Sequence, residues 1–160
     1  MDAFFARLER VLLPLLAALL ACITLGVFVQ VVLRYAFAQS FLWGEELSLF
    51  AFIWCVYLGA AICVWRRSHF AFDLFADRLT GRAAAVQHLI ADLLVLLVAV
   101  MILKDGWTFS ELSRQRLSPA LGITLLVPTL VIPLAGTLMV LAASTQVWGD
   151  LRRILPGPRR

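Results

Sequence analysis

The chain has 160 residues, of which 62% are hydrophobic and 15% charged, with a mean hydropathy of +0.94 and a formal net charge of +4. Soluble domains are nearer half apolar and a quarter charged, and the long apolar stretches here have no polar face, so a soluble globular domain is excluded. The 14 Lys and Arg residues form no aromatic-interleaved patch and mostly flank apolar runs, a pattern that excludes nucleic acid and points to a lipid bilayer.

The first element is the uncharged run Val11–Leu33. Arg7 and Arg10 precede it, as in a signal peptide, but the run continues eleven residues beyond Cys22, too far for a cleaved apolar segment. An uncleaved membrane helix is expected. The second span covers 45–65, with its apolar part from Leu47 to Trp65. Ala51, Cys55, Gly59 and Cys63 recur along it at every fourth position, led by Gly44 and Ser48, and Ala18, Cys22 and Gly26 make a similar row ending at Gln30 in the first span. Small residues let membrane helices approach closely, so the two rows predict a tight antiparallel hairpin with Gln30 buried near one end. Cys22, Cys55 and Cys63 all lie in apolar runs with no CxxC, so small packing residues are expected rather than disulfide or zinc ligands.

Between the second and third spans, Phe72, Phe75 and Leu79 fall on one side and Asp73 and Asp77 on another, predicting a short interfacial helix. The third span, 83–103, is interrupted by Gln87, His88 and Asp92. The fourth, 121–148, contains Pro128 and Pro133, both tolerable in a membrane helix. The expected fold is thus all-α and integral to the membrane, a single four-helix domain over residues 1–160 with four transmembrane helices. Arg7, Arg10, Arg66, Arg67, Arg78, Arg82, Arg152, Arg153, Arg159 and Arg160 fall on one side of that arrangement, against Arg34, Lys104, Arg114 and Arg116 on the other. Ten against four predicts that both termini are cytoplasmic.

Glu45 and Glu46 then stand at the outer face, just after Trp43 and Gly44. At about 100° per residue, Glu45 lies near the small-residue ridge, and Glu46 shares the opposite side with Phe50, Ile53, Trp54 and Tyr57. Two acids in a first helical turn also serve the helix dipole without further function. The expectation is that Trp43 fixes the height of the helix start and that Glu46 faces a partner subunit offering a cation or backbone N–H groups.

Asp92 is the acid inside a span, and an intramembrane carboxylate needs a partner. His88, one turn earlier, is the local candidate for a polar pair with it. The alternative is that the span starts nearer Leu89 and that Asp92 lies in a wet first turn, where its removal is nearly silent. Both readings stay open. His69 and His88 fall at different depths, which disfavours a haem-bearing electron-transfer anchor, and the i, i+4 pair His69 and Asp73 alone specifies no metal. With no phosphate loop, nucleophile elbow or HExxH, no catalytic residue, metal or cofactor is expected. A four-span proton-coupled small exporter using Asp92 is the competing class.

Three stretches together are familiar. "QVVLRYAFAQSFLWGEEL" (Gln30–Leu47), "YLGAAICVWRRSHFAFDLF" (Tyr57–Phe75) and "SPALGITLLVPTLVIPLAGTLMVL" (Ser118–Leu141) form an ordered set. This set resembles the small membrane subunit of tripartite ATP-independent periplasmic (TRAP) transporters, the DctQ-like family. The resemblance implies a bacterial inner-membrane scaffold for a large multi-span subunit, with a periplasmic solute-binding protein delivering a carboxylate for sodium-coupled uptake. It carries over to Arg34, Trp43, Glu45, Glu46, Gly59, His69 and Asp73 as partner-interface or structural positions. It says nothing of Asp92.

Overall fold

The computed structural model describes residues 2–38, 41–67 and 82–154. Among these are five helices: α1 (Asp2–Phe37), α2 (Leu42–Trp65), α3 (Arg82–Ser113), α4 (Leu126–Thr129) and α5 (Val131–Ile154). The expected interfacial helix, with His69 and Asp73, lies outside the described residues. Three stretches are long and apolar enough to cross a membrane: Phe5–Phe37, Leu42–Trp65 and Leu126–Arg152. The chain is an all-α membrane protein.

The boundaries differ from expectation in ways the backbone explains. Helix α1 starts at Asp2 rather than Val11, because nothing between those residues breaks a helix. Helix α3 contains the expected third span but is not one of the three apolar stretches, and it continues to Ser113. Its 32 residues extend ~48 Å at 1.5 Å each, well beyond a hydrocarbon core of ~30 Å. The fourth expected span loses its start. Residues 121–125 belong to a turn, where Gly122 adopts φ 66° and Leu117 pairs antiparallel with Thr124. In this turn Ser118 N donates to Ile123 O at 2.8 Å and Leu125 N to Arg116 O at 2.9 Å.

The break between α4 and α5 follows from Pro133. A proline has no N–H to return to the carbonyl four residues earlier, which here is Thr129. The Ser110 hydroxyl of α3 donates to that freed oxygen at 3.0 Å. A buried backbone acceptor is thereby satisfied from a neighbouring helix, which keeps the kink affordable in an apolar environment.

Helix α1 packs on α2, α2 on α5, and α5 on α3, so α5 lies between the hairpin and α3. The tightest seam joins α3 and α5. On α3, Ala99, Gly106 and Ser113 recur every seven residues and are buried, and α5 answers with Val131, Ala135, Met139 and Ala142. Such 3-4 spacing of small residues brings two antiparallel helices close. A Cβ on Gly136 would lie 2.9 Å from both Leu103 Cα and Leu103 N, and a Cβ on Gly106 2.6 Å from Ile132 Cγ2.

This corrects the expected placement of the close approach. The α1–α2 hairpin exists, and Gln30 does meet Gly44, where a Cβ would come within 2.9 Å of its Nε2. However, a Cβ on Gly26 or Gly59 would meet nothing within 4 Å, and Cys22 and Cys63 are exposed. Contact concentrates instead on Leu16, Leu58, Ile62 and Val131. Gly44, Ser48 and Cys55 of the α2 row meet α1, while the Gly26 and Gly59 positions are left open among the described residues.

The Gly136 contact gives a direct expectation. Gly136→Ala must displace α3 backbone rather than a flexible side chain, and overpacking of that kind costs ~1–3 kcal/mol. The thermal midpoint of the purified protein should fall. Gly149→Ala, at a position with open space around it, should leave it unchanged or raise it, and equal behaviour of the two would contradict the seam.

Candidate functional site at the two ends of helix α2

Among the described residues, Arg34, Glu45 and Glu46 lie at one end of α2, and Asp92 meets its other end. At the Phe41 end, α2 begins without a side-chain cap; Gly44 N and Glu45 N both donate to Phe41 O, at 3.0 and 3.3 Å. The Ser48 hydroxyl returns to Gly44 O at 2.9 Å, and Gln30 Nε2 reaches Ser48 Oγ at 3.5 Å. Absence of a side chain at Gly44 lets Gln30 lie across the helix start. Trp43 is exposed and meets the Phe41 ring edge-on, with centroids 6.1 Å apart.

Glu45 and Glu46 do address different surroundings. Glu45 turns toward α1, its Oε1 3.9 Å from Arg34 Nη1, and both side chains are more than half exposed. Glu46 turns toward the turn after α3. Its carboxylate accepts from the Ser118 hydroxyl, from Ala120 N at 3.0 Å and from Leu121 N at 3.1 Å. The sequence pointed to N–H donors on a partner subunit; the donors seen here belong to the same chain. Glu45 is the more exposed of the two acids.

At the Trp65 end, Arg67 adopts φ 53° and closes α2 with a left-handed residue, its N–H donating to Val64 O at 3.1 Å. That conformation folds its side chain back between α3 and α5. Arg67 Nη2 donates to Asp92 Oδ2 at 2.8 Å, to Asp150 Oδ2 at 3.0 Å and to Gln146 O at 3.2 Å. Gln146 Nε2 in turn donates to the terminal carbonyls of α2, Val64 O at 2.9 Å and Trp65 O at 3.1 Å. Beside this cluster Arg66 Nε donates to Glu9 Oε1 at 2.8 Å, and Phe5 stacks on Trp65 with centroids 4.4 Å apart. Glu9 raises the pKa of the Arg66 guanidinium above its ordinary value, chiefly by accepting its hydrogen bond.

Asp92 is thus buried, about ten residues or ~15 Å along α3 from its first residue. His88 is not its hydrogen-bond partner: His88 is half-buried one turn away, and Arg67 makes the contact. Arg67, Gln146 and Asp150 were missing from the sequence reading. Arg67 counted there only as a topology marker, and Asp150 falls two residues beyond the expected end of the last span. Ser118, the partner of Glu46, was read only as part of an entry motif. The Gly59 position is open on its helix surface. Among the described residues no three His, Cys, Asp or Glu side chains form a group able to hold a metal.

Chemically, the site consists of ion pairs and backbone caps placed at opposite ends of the same helix. Such an arrangement fixes helices to one another. Among the described residues no continuous polar path joins the two ends.

The chain matches the family described as Tripartite ATP-independent periplasmic transporters, DctQ component, over residues 23–153. It is 27% identical over 147 residues to the sialic acid TRAP transporter small permease protein SiaQ of Vibrio cholerae, spanning 92% of this chain and 83% of that protein. It is 28% identical over 116 residues to a TRAP transporter small permease protein of Haemophilus influenzae, spanning 72% of each. The isethionate TRAP transporter permease protein DctMQ of Oleidesulfovibrio alaskensis is 31% identical over 120 residues, which are 72% of this chain but 18% of that longer protein. With most of its length inside that match, the chain belongs to the DctQ family and is a small permease subunit of a TRAP transporter.

Proposed function

We propose that this subunit is a scaffold for a large multi-span permease subunit in the bacterial inner membrane and carries no transport path of its own. In this reading α3 provides a fourth crossing, the interfacial helix follows α2, both termini are cytoplasmic, and the Phe41 end of α2 lies outside. The observation that carries the reading is the closed character of the polar groups. Arg67 bridges Asp92 and Asp150 at one end, and Glu46 is spent on the turn at the other. An exporter using Asp92 as its proton carrier needs that carboxylate accessible from a pathway, and Arg67 and Asp150 occupy its surroundings.

The uncovered face of α1 supports a large partner. Only 6% of the most apolar window of Phe5–Phe37 is buried within the chain, against 50% for Leu126–Arg152. Gly26 and Gly59 leave room for a neighbouring helix that the described residues do not supply. Fusion of the related sequence into the longer DctMQ protein fits a permanent association with a large subunit. Arg34, Trp43, Glu45, Gly59, His69 and Asp73 are our candidates for partner-facing or structural positions.

For the whole transporter we infer sodium-coupled uptake of an organic anion, a carboxylate in the first instance, delivered by a periplasmic solute-binding protein. The names of relatives, which include a C4-dicarboxylate and a sialic acid transporter, agree with a carboxylate, and the isethionate transporter shows that the anion varies among them. Reconstitution tests the scaffold role. Vesicles with this chain alone should take up no solute under a sodium gradient, whereas vesicles with the large subunit and the loaded binding protein should. Uptake by the lone chain would overturn the reading.

A further inference from the structure

Between α1 and α2, near the Phe41 end, runs a groove of about 420 Å³. Its walls are apolar, with Ile23 and Val27 on α1 facing Leu49 and Phe52 on α2, and its mouth carries Arg34 and Glu45. We propose that this groove holds one phosphatidylethanolamine molecule, with an acyl chain along the walls and the zwitterionic headgroup bridging Arg34 and Glu45. The proposal rests on the membrane-spanning reading of α1 and α2, and not on the large subunit.

Length and charge select this occupant. From Ile23 to Arg34 is eleven residues of helix, ~16 Å, which is about half of a ~30 Å hydrocarbon core. The groove therefore spans one leaflet, with its charged mouth at headgroup level. Arg34 Nη1 and Glu45 Oε1 stand 3.9 Å apart, too far for a hydrogen bond, and neither side chain is more than half covered. Each keeps free capacity for a ligand. A guanidinium presents paired donors to a phosphate, and a carboxylate accepts from a primary ammonium. Phosphatidylethanolamine supplies both groups a few bonds apart. Phosphatidylcholine has no N–H to give Glu45, and phosphatidylglycerol sets a net negative headgroup beside it.

The neighbouring groove on the other side of the same helix pair lacks this polarity. It is lined by Cys22, Gly26, Trp43 and Ala51, and its rim carries no charged side chain. It fits a helix rather than a headgroup, so the two sides of the α1–α2 pair differ in the ligand they invite.

Native mass spectrometry of the detergent-purified protein tests the proposal, run both on the chain alone and on the chain co-purified with its large subunit. After delipidation, each sample is titrated with phosphatidylethanolamine, phosphatidylcholine or phosphatidylglycerol. One phosphatidylethanolamine per chain should be retained, with the other two lipids bound about tenfold more weakly, the loss expected for one charge-assisted hydrogen bond. Arg34→Gln and Glu45→Gln should each lower retention of phosphatidylethanolamine by a similar factor. A preference for phosphatidylglycerol, no retained lipid, or retention indifferent to both substitutions would overturn it. If the groove is instead filled by the large subunit, lipid will be retained by the lone chain and lost from the complex, which also overturns it. Because uptake is not the readout, failure of the scaffold reading leaves this result interpretable.

Discussion

Arg67→Ala is expected to destabilise the subunit more than Asp92→Asn or Asp150→Asn. One guanidinium serves two carboxylates, and the side chains of Asp92 and Asp150 are only 11% and 4% exposed. Removing the cation leaves two neighbouring buried acids without the guanidinium that bridges them. Loss of one partner from a buried pair costs ~3–5 kcal/mol, and the lower part of that range applies here because the Arg67 side chain is 36% exposed. Removing one acid has the opposite sense. Asp92→Asn keeps the shape and an acceptor oxygen while leaving Arg67 and Asp150 as a neutral pair, so its effect should be small. Arg67→Lys should fall between, since an ammonium cannot span both carboxylates and Gln146 O with one fork of donors. The thermal midpoint of the chain in detergent or nanodiscs reads this order. If Asp92→Asn costs as much as Arg67→Ala, the cluster is held by Asp92 as an individual residue rather than by charge balance.

The same cluster explains which parts of the site could be read from sequence. The apolar spans were legible because charge is so costly in a bilayer that uncharged runs mark helices directly. The divergence of Glu45 and Glu46 was legible too, because 100° between successive residues sends adjacent side chains to different neighbours. The identity of those neighbours was not. Glu46 is answered by two backbone N–H groups 74 and 75 residues away, and backbone donors leave no mark on residue type. Arg67 was misread because a charge at a span end serves equally as a topology marker and as a folded-back ligand; its positive φ decides between them and is invisible in the sequence. The seven-residue recurrence of Ala99, Gly106 and Ser113 was available, but the denser small rows of α1 and α2 drew the expectation of closest approach to the looser pair. Parts of those rows, at Gly26 and Gly59, are open among the described residues, and small residues signal close approach without naming the partner.

Glu46→Ala should loosen the turn between α3 and α4 and reduce assembly, while Glu45→Gln should leave that turn intact. The turn has no apolar core of its own: Leu117 and Ile123 are both exposed. Its internal order is a single antiparallel bridge and a few backbone hydrogen bonds. Glu46 is the contact that ties it to α2, with one carboxylate gathering a hydroxyl and two adjacent N–H groups. An ionised carboxylate is suited to this because it is acceptor-only, so every group aimed at it donates. Glu46→Gln is the finer probe. Its amide oxygen can replace one acceptor, but its NH₂ then points at an N–H, and only the Ser118 hydroxyl can rotate to accept from it. Amide hydrogen exchange at Ala120 and Leu121 should therefore accelerate modestly in Glu46→Gln and strongly in Glu46→Ala, with tryptic cleavage after Arg116 rising in parallel. Co-purification with the large subunit should fall in the same order, because a mobile turn no longer presents a fixed surface at that end of α2. Glu45→Gln, acting only on the loose contact with Arg34, should match the parent in exchange. Unchanged protection of Ala120 and Leu121 in Glu46→Ala would show that the turn holds itself, and the carboxylate would then be no more than a helix-dipole residue.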